Sequence, residues 1–151
     1  MNLTTAVTKE ITFDCAHMLS GHRGKCANLH GHTYKVQVAI VGVPKHDKGS
    51  DCGMVLDFGD LKEVLQDHIV NVYDHAVIFS AEPFRNEAEE ELLDWARRNK
   101  MRYHIMNGRT TSETMAYEMQ LEISNALRYV SIPFDHVSVR VWETPTSFAE
   151  V

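Results

Sequence analysis

The segment His30-Gly-His-Thr-Tyr-Lys-Val-Gln-Val-Ala-Ile40 alternates with a period of two. His30, His32, Tyr34, Val36, Val38 and Ile40 fall on one side, and Thr33, Lys35 and Gln37 on the other. Such alternation belongs to a strand with one packed and one wet face, so the chain is committed to a sheet covered on one side. An earlier segment obeys the same rule, with Ile11, Phe13, Cys15 and His17 together and Thr12 and Asp14 opposite. Both apolar faces end in histidine: the first closes on His17, and the second opens on His30 and His32. The polar, glycine-bearing stretch Ser20 to Asn28 connects them.

The remainder reads mainly as helix. Asp57 is placed to cap a helix running to about Asn71, with Phe58, Leu61, Val64, Leu65 and Ile69 as its inward stripe. Tyr73-Asp74-His75 follows. A second helix over roughly 86–98 opens with Glu87, Glu89, Glu90 and Glu91 and ends with Arg97 and Arg98, the order its macrodipole favours; nothing in it points to chemistry. A short strand over 102–106 precedes a third helix, capped by Thr111 or Ser112, with Met115, Met119, Ile123 and Leu127 at i, i+4 spacing. The last strand puts Val137, Val139, Val141 and Glu143 on one face, and Pro145 closes it. Two strands, then helices and a closing strand, without regular β-α alternation, predict an α+β fold: an antiparallel sheet with helices packed on one face.

At 151 residues, 44% of them hydrophobic, the chain suits one domain spanning 1–151 with its own core. No window approaches the roughly 20 apolar residues of a membrane helix, and the N-terminus lacks the pattern of a secretion signal. A cytoplasmic protein without a membrane partner is expected. The formal charge of −6 gives no general attraction for nucleic acid. Three cysteines make an odd count without regular spacing, which fits a reducing compartment. Cys15 alternates with Phe13 and Ile11 and reads as core; Cys52 lies in a turn-rich segment.

Residues two apart on a strand share a side, so His30 and His32 can hold one ion with Gly31 between them. Antiparallel pairing of the two strands would add His17. Three neutral imidazoles leave one tetrahedral position for water or substrate, the catalytic form of a Zn2+ site. Cupin-type sites carry a carboxylate where Val36 and Gln37 stand, and amidohydrolase barrels need about 250 residues. Cys26 has two readings: a fourth ligand closing a structural zinc site, or a separate reactive thiol beside an open one, with Lys25 and Arg23 adding positive charge. Glu143 ends an apolar strand face, where a carboxylate is costly unless partnered.

The run Cys26-Ala-Asn-Leu-His30-Gly-His32, preceded by Phe13-Asp-Cys-Ala-His17, resembles the family of 6-pyruvoyltetrahydropterin and 6-carboxytetrahydropterin synthases. Asp74-His75, Thr111-Ser-Glu113 and Glu143-Thr-Pro-Thr-Ser-Phe fall in the family's order, so the resemblance covers most of the chain. From about 77 to 109 it departs from the family's pattern, and Thr110 replaces a common proline. The three residues between Cys26 and His30 are similar to the carboxytetrahydropterin branch, that of queuosine (7-deazaguanine) biosynthesis; the sister branch usually has two more.

The resemblance implies the two-layered tunnelling fold and a homohexamer of stacked trimers with active sites between subunits. It also implies Zn2+ on His17, His30 and His32, and a pterin triphosphate substrate. Cys26 would move protons on the substrate side chain, while Asp74 and His75 of a neighbouring subunit orient and reprotonate. Glu143 would anchor the pterin, Thr111 and Glu113 would contact it, and Lys25 would face the triphosphate. The implied reaction converts 7,8-dihydroneopterin triphosphate to 6-carboxy-5,6,7,8-tetrahydropterin, acetaldehyde and triphosphate. The alternatives are pyruvoyltetrahydropterin synthesis, a related pterin side-chain aldolase, or a small domain in which zinc serves folding.

Overall fold

In a computed structural model describing residues 3–151, two long strands organise the chain: β1 (Thr5–His17) and β2 (His30–Gly42). They pair antiparallel along their whole length, with Phe13 opposite Tyr34, Cys15 opposite His32 and His17 opposite His30. β5 (His136–Thr144) pairs antiparallel with β2, and β6 (Ser147–Glu150) with β5. The six-stranded sheet has the order β4-β3-β1-β2-β5-β6, where β3 is Val77–Ser80 and β4 is Tyr103–Met106.

Phe13, Tyr34, Val36, Val38, Ile40, Val137, Val139 and Val141 form the covered face. α1 (Phe58–Leu65) and α4 (Ser112–Tyr129) pack on it through Leu61, Leu65, Met115, Met119, Ile123 and Leu127, all fully buried. Asp57 caps α1 by accepting from the Gly59 amide, and Thr111 caps α4 by accepting from the Thr114 amide. The first helical run goes beyond the expected Asn71: α1 widens into a π-helical segment, Gln66–Val70, before α2 (Asn71–Tyr73). Among the described residues no helix is long and apolar enough to cross a membrane.

The fold is α+β, as the pattern predicts, but three details differ. The sheet is mixed, because β3 joins β1 in parallel and β4 joins β3 in parallel. Parallel neighbours need a crossover, which α3 (Glu87–Arg98) supplies between β3 and β4. α3 also stands apart from the other helices: Ile78 faces the main core, whereas its strand neighbour Phe79 packs with Leu93 and Ala96 in a separate cluster. Finally, Pro145 closes β5 as expected, but the tight turn it begins leads into a further strand, β6.

Candidate metal centre and cleft

The β1–β2 register sets the site. With His17 opposite His30, and His32 one pleat further along the same face, three ring centroids lie 4.6, 4.9 and 5.3 Å apart. One donor nitrogen from each imidazole falls within 4.8 Å of the other two. Gly31 lets the strands close here, since a Cβ at that position would lie 3.3 Å from the Cys15 carbonyl oxygen.

Backbone carbonyls orient two of the rings. His17 Nδ1–H donates to the Thr110 carbonyl at 2.7 Å, and His30 Nδ1–H donates to that of Asn28 at 2.7 Å. A carbonyl can only accept, so the proton sits on Nδ1 and Nε2 keeps its lone pair. His30 Nε2 and His32 Nε2 are buried with no hydrogen-bond partner. Such orphaned nitrogens are costly, and a coordinated cation removes the cost. Burial, the largest influence, pulls the His17 and His32 imidazoles below their usual titration range despite the nearby Glu143 carboxylate. Three convergent imidazoles, two of them with unpartnered Nε2 atoms, fit a divalent metal ion. Cys26 is outside this three-donor group.

Glu143 stands beside the triad, with Oε1 3.5 Å from His17 Nε2 and 3.8 Å from His32 Nε2. The fully buried Tyr34 hydroxyl lies between them, 3.2 Å from Glu143 Oε1 and 3.4 Å from His17 Nε2. From there a cleft of about 360 Å³ opens along the start of α4 and β6, lined by Glu143, Thr111, Ser112, Glu113, Arg109, His22 and Phe148. Carboxylates and hydroxyls at one end of a half-apolar slot suit a flat ligand with hydrogen-bond donors along its edge.

Cys26 lies half-buried in a 3-10 turn, Lys25–Ala27, between the strands. It is close enough to the site to add to the field that, after burial, pushes the Tyr34 phenol upward. Lys25 is exposed and does not line the cleft; Arg109 is the cation that does. Burial, with help from Asp14, pushes the Cys15 thiol up to about 12, so it behaves as a core residue.

Asp74 and His75 are placed elsewhere on this chain. Asp74 Oδ1 accepts from the Asp14 amide at 3.0 Å, and His75 Nδ1 lies 2.9 Å from Asp74 Oδ2. That amide bond is the main reason the Asp74 carboxyl is held below its usual range. His75 takes a left-handed backbone, φ 58°, held by its amide donating to the Asp14 carbonyl, and its side chain is 76% exposed. His75 borders a concavity with Asp14, Ala16, Gly31 and Thr33, which alternate to the face opposite His17, and with Cys15 and His32, which share the His17 face.

Sequence reasoning missed the Tyr34 hydroxyl, the Thr110 carbonyl, Arg109 and the β6 wall. Tyr34 was within reach, since it follows His30 and His32 on the same strand face. A backbone carbonyl carries no residue signature.

Comparison with known proteins agrees with this geometry. The family described as 6-pyruvoyl tetrahydropterin synthase matches residues 6–151, and the chain belongs to that family. The 6-carboxy-5,6,7,8-tetrahydropterin synthase of Haemophilus influenzae is 39% identical over 152 residues, covering 95% of this chain and 96% of its own. A putative 6-carboxy-5,6,7,8-tetrahydropterin synthase of Pyrococcus abyssi is 32% identical, covering 95% of this chain and 86% of its own. By this homology the chain is a lyase of the carboxytetrahydropterin synthase type. In fold it resembles the 6-pyruvoyltetrahydropterin synthase of Plasmodium vivax, with a TM-score of 0.72 at 20% identity over 99% of this chain and 97% of the other.

Proposed function

We propose that this protein converts 7,8-dihydroneopterin triphosphate to 6-carboxy-5,6,7,8-tetrahydropterin with release of acetaldehyde and triphosphate, in the cytoplasmic queuosine (7-deazaguanine) pathway. The observation that carries the proposal is the three-imidazole donor set beside Glu143, which lines the adjoining cleft. His17, His30 and His32 would hold Zn2+, which when bound supplies a Lewis acid for the substrate's side-chain hydroxyls.

The chain's own residues do the rest. Glu143 accepts from the pterin's 2-amino group and N3–H, a two-pronged contact for one carboxylate. Thr111 and Glu113 border the same cleft and contact the ring edge. The Cys26 thiolate takes a proton from the substrate side chain. Asp74 and His75 orient and return protons, delivered from a neighbouring subunit of a homohexamer. Lys25, in the loop of the thiol, faces the triphosphate. Cys26 lies outside the three-donor group, which favours an open site over a closed structural one.

The test is incubation of zinc-loaded protein with 7,8-dihydroneopterin triphosphate, following pterins and acetaldehyde by chromatography, with Cys26→Ala alongside. Carboxytetrahydropterin and acetaldehyde from the wild type alone support the proposal. Pyruvoyltetrahydropterin would reassign the chain to the sister reaction, and no turnover would leave zinc a folding role.

A further inference from the structure

Buried in α3, a helix whose sequence pattern points to no chemistry, Glu89 has 0% exposure. It occupies the third position after the N-cap Asn86, where a glutamate ordinarily reaches back to the cap's own amide. Here Ser20 is inserted into that exchange. The Asn86 amide donates to Ser20 Oγ at 3.3 Å, and the Ser20 hydroxyl donates to Glu89 Oε2 in a short contact. Glu89 Oε1 accepts from the Ser80 amide at 2.6 Å, which ties the same carboxylate to the end of β3.

Ser20 belongs to the loop that carries Cys26, and its neighbours are pinned too. Arg109 donates to the Ser20 carbonyl at 2.7 Å, and the Thr110 hydroxyl donates to that of Met18 at 2.8 Å. Across the loop, the Leu19 amide donates to the Cys26 carbonyl at 2.8 Å. An unbroken path therefore runs from the Glu89 carboxylate through Ser20 and Leu19 to the backbone of Cys26. The Thr110 carbonyl meanwhile holds His17.

We propose that Ser20 and Glu89 are positioning residues that fix the Cys26 thiol relative to the three histidines, and that α3 serves this chemistry as a brace. A buried carboxylate and a buried hydroxyl are retained at a helix start that Asn86 alone could cap, which suits a tie to the loop better than a cap. The inference rests on the assignment of Cys26 as the proton-moving thiol.

Zinc-loaded wild type, Ser20→Ala, Ser20→Thr and Glu89→Gln are compared by kcat and KM for 7,8-dihydroneopterin triphosphate. Bound zinc and the iodoacetamide alkylation rate of the Cys26 peptide are measured on the same samples. Ser20→Ala should lower kcat about 10- to 100-fold, the scale of a displaced reacting group, with KM and zinc content near wild type. Its Cys26 alkylation rate should change, and Ser20→Thr, which restores the hydroxyl, should recover both. Wild-type kcat and alkylation in Ser20→Ala overturn the inference, as does a loss of zinc that accounts for the lost turnover. If Ser20→Ala does not fold, Glu89→Gln decides, expected to fall in kcat and overturning the inference if it matches wild type. Absence of turnover in the wild type refutes the proposed reaction, and the alkylation rates then test the brace alone.

Discussion

Tyr34 connects the two halves of the site. Its single proton has one partner free to accept it once a metal takes the His17 Nε2 lone pair, and that partner is Glu143. Tyr34→Phe removes this donor and leaves the imidazoles untouched. Neopterin affinity should then fall about 10-fold, the effect of one hydrogen bond to a charged group, with bound zinc unchanged. Fluorescence titration and metal analysis read the two separately; unchanged affinity would remove Tyr34 from the anchor. The imidazoles also set a pH dependence. Burial depresses the His17 and His32 titrations below the 6.5 of the free side chain. As pH falls through that value, the unfolded chain takes up protons that the folded chain refuses, so the metal-free protein loses stability. Its Tm should drop between pH 7.5 and 5.5, and a flat Tm over that interval would count against burial as the controlling influence. The histidines were legible in the sequence because strand pairing follows from alternation alone. The Thr110 carbonyl that orients His17 was not, since it depends on how a distant connector folds back.

Glu118 does for α4 what Glu89 does for α3. It accepts from the Tyr73 hydroxyl of α2 at 2.7 Å and from the Asn107 amide after β4 at 2.9 Å, and it also pairs with His104 of β4. Burial by itself would raise its carboxyl, but these three donors outweigh it and hold the group below its usual 4.5. A depressed acid contributes stability above its unfolded value and loses it as pH falls further. Glu118→Gln should therefore cost about 1–3 kcal/mol at neutral pH, from weakened pairing of buried donors, and the gap from wild type should narrow below about pH 4. Urea denaturation at pH 7 and pH 3.5 measures both, and an equal gap at the two values would sink the argument. The apolar stripes of α1 and α4 were legible because each repeats over several turns. β6 was not, being a four-residue edge strand, too short for any alternation to register. Nor was the parallel pairing of β3 with β4, because one β-α-β unit gives no repeat to recognise.

On the proposed reading, a single chain leaves the groups of the reaction apart. Glu143 lines one cleft and stands beside His17, whereas His75 borders a separate concavity that reaches Asp14, Ala16 and Thr33 on the other face of the strands. β4 and β6 also end the sheet without a further partner among the described residues, so both edges are available for strand pairing between copies. Strand and helix patterns place residues within one chain and say nothing of a neighbour, so in the sequence this division entered through the family resemblance alone. The proposed sharing of the site between subunits makes a specific demand on mixed assemblies. Cys26→Ala and His75→Ala should each be inactive alone as pure proteins. Denatured together and refolded, they should regain turnover, because some sites then take an intact Cys26 from one subunit and an intact His75 from the next. Refolding each variant separately and mixing afterwards without exchange should recover nothing, which excludes contamination as the source. If instead both residues served the same chain's site, every site in the mixture would lack one of them, and co-refolding would leave the activity at the level of the single variants.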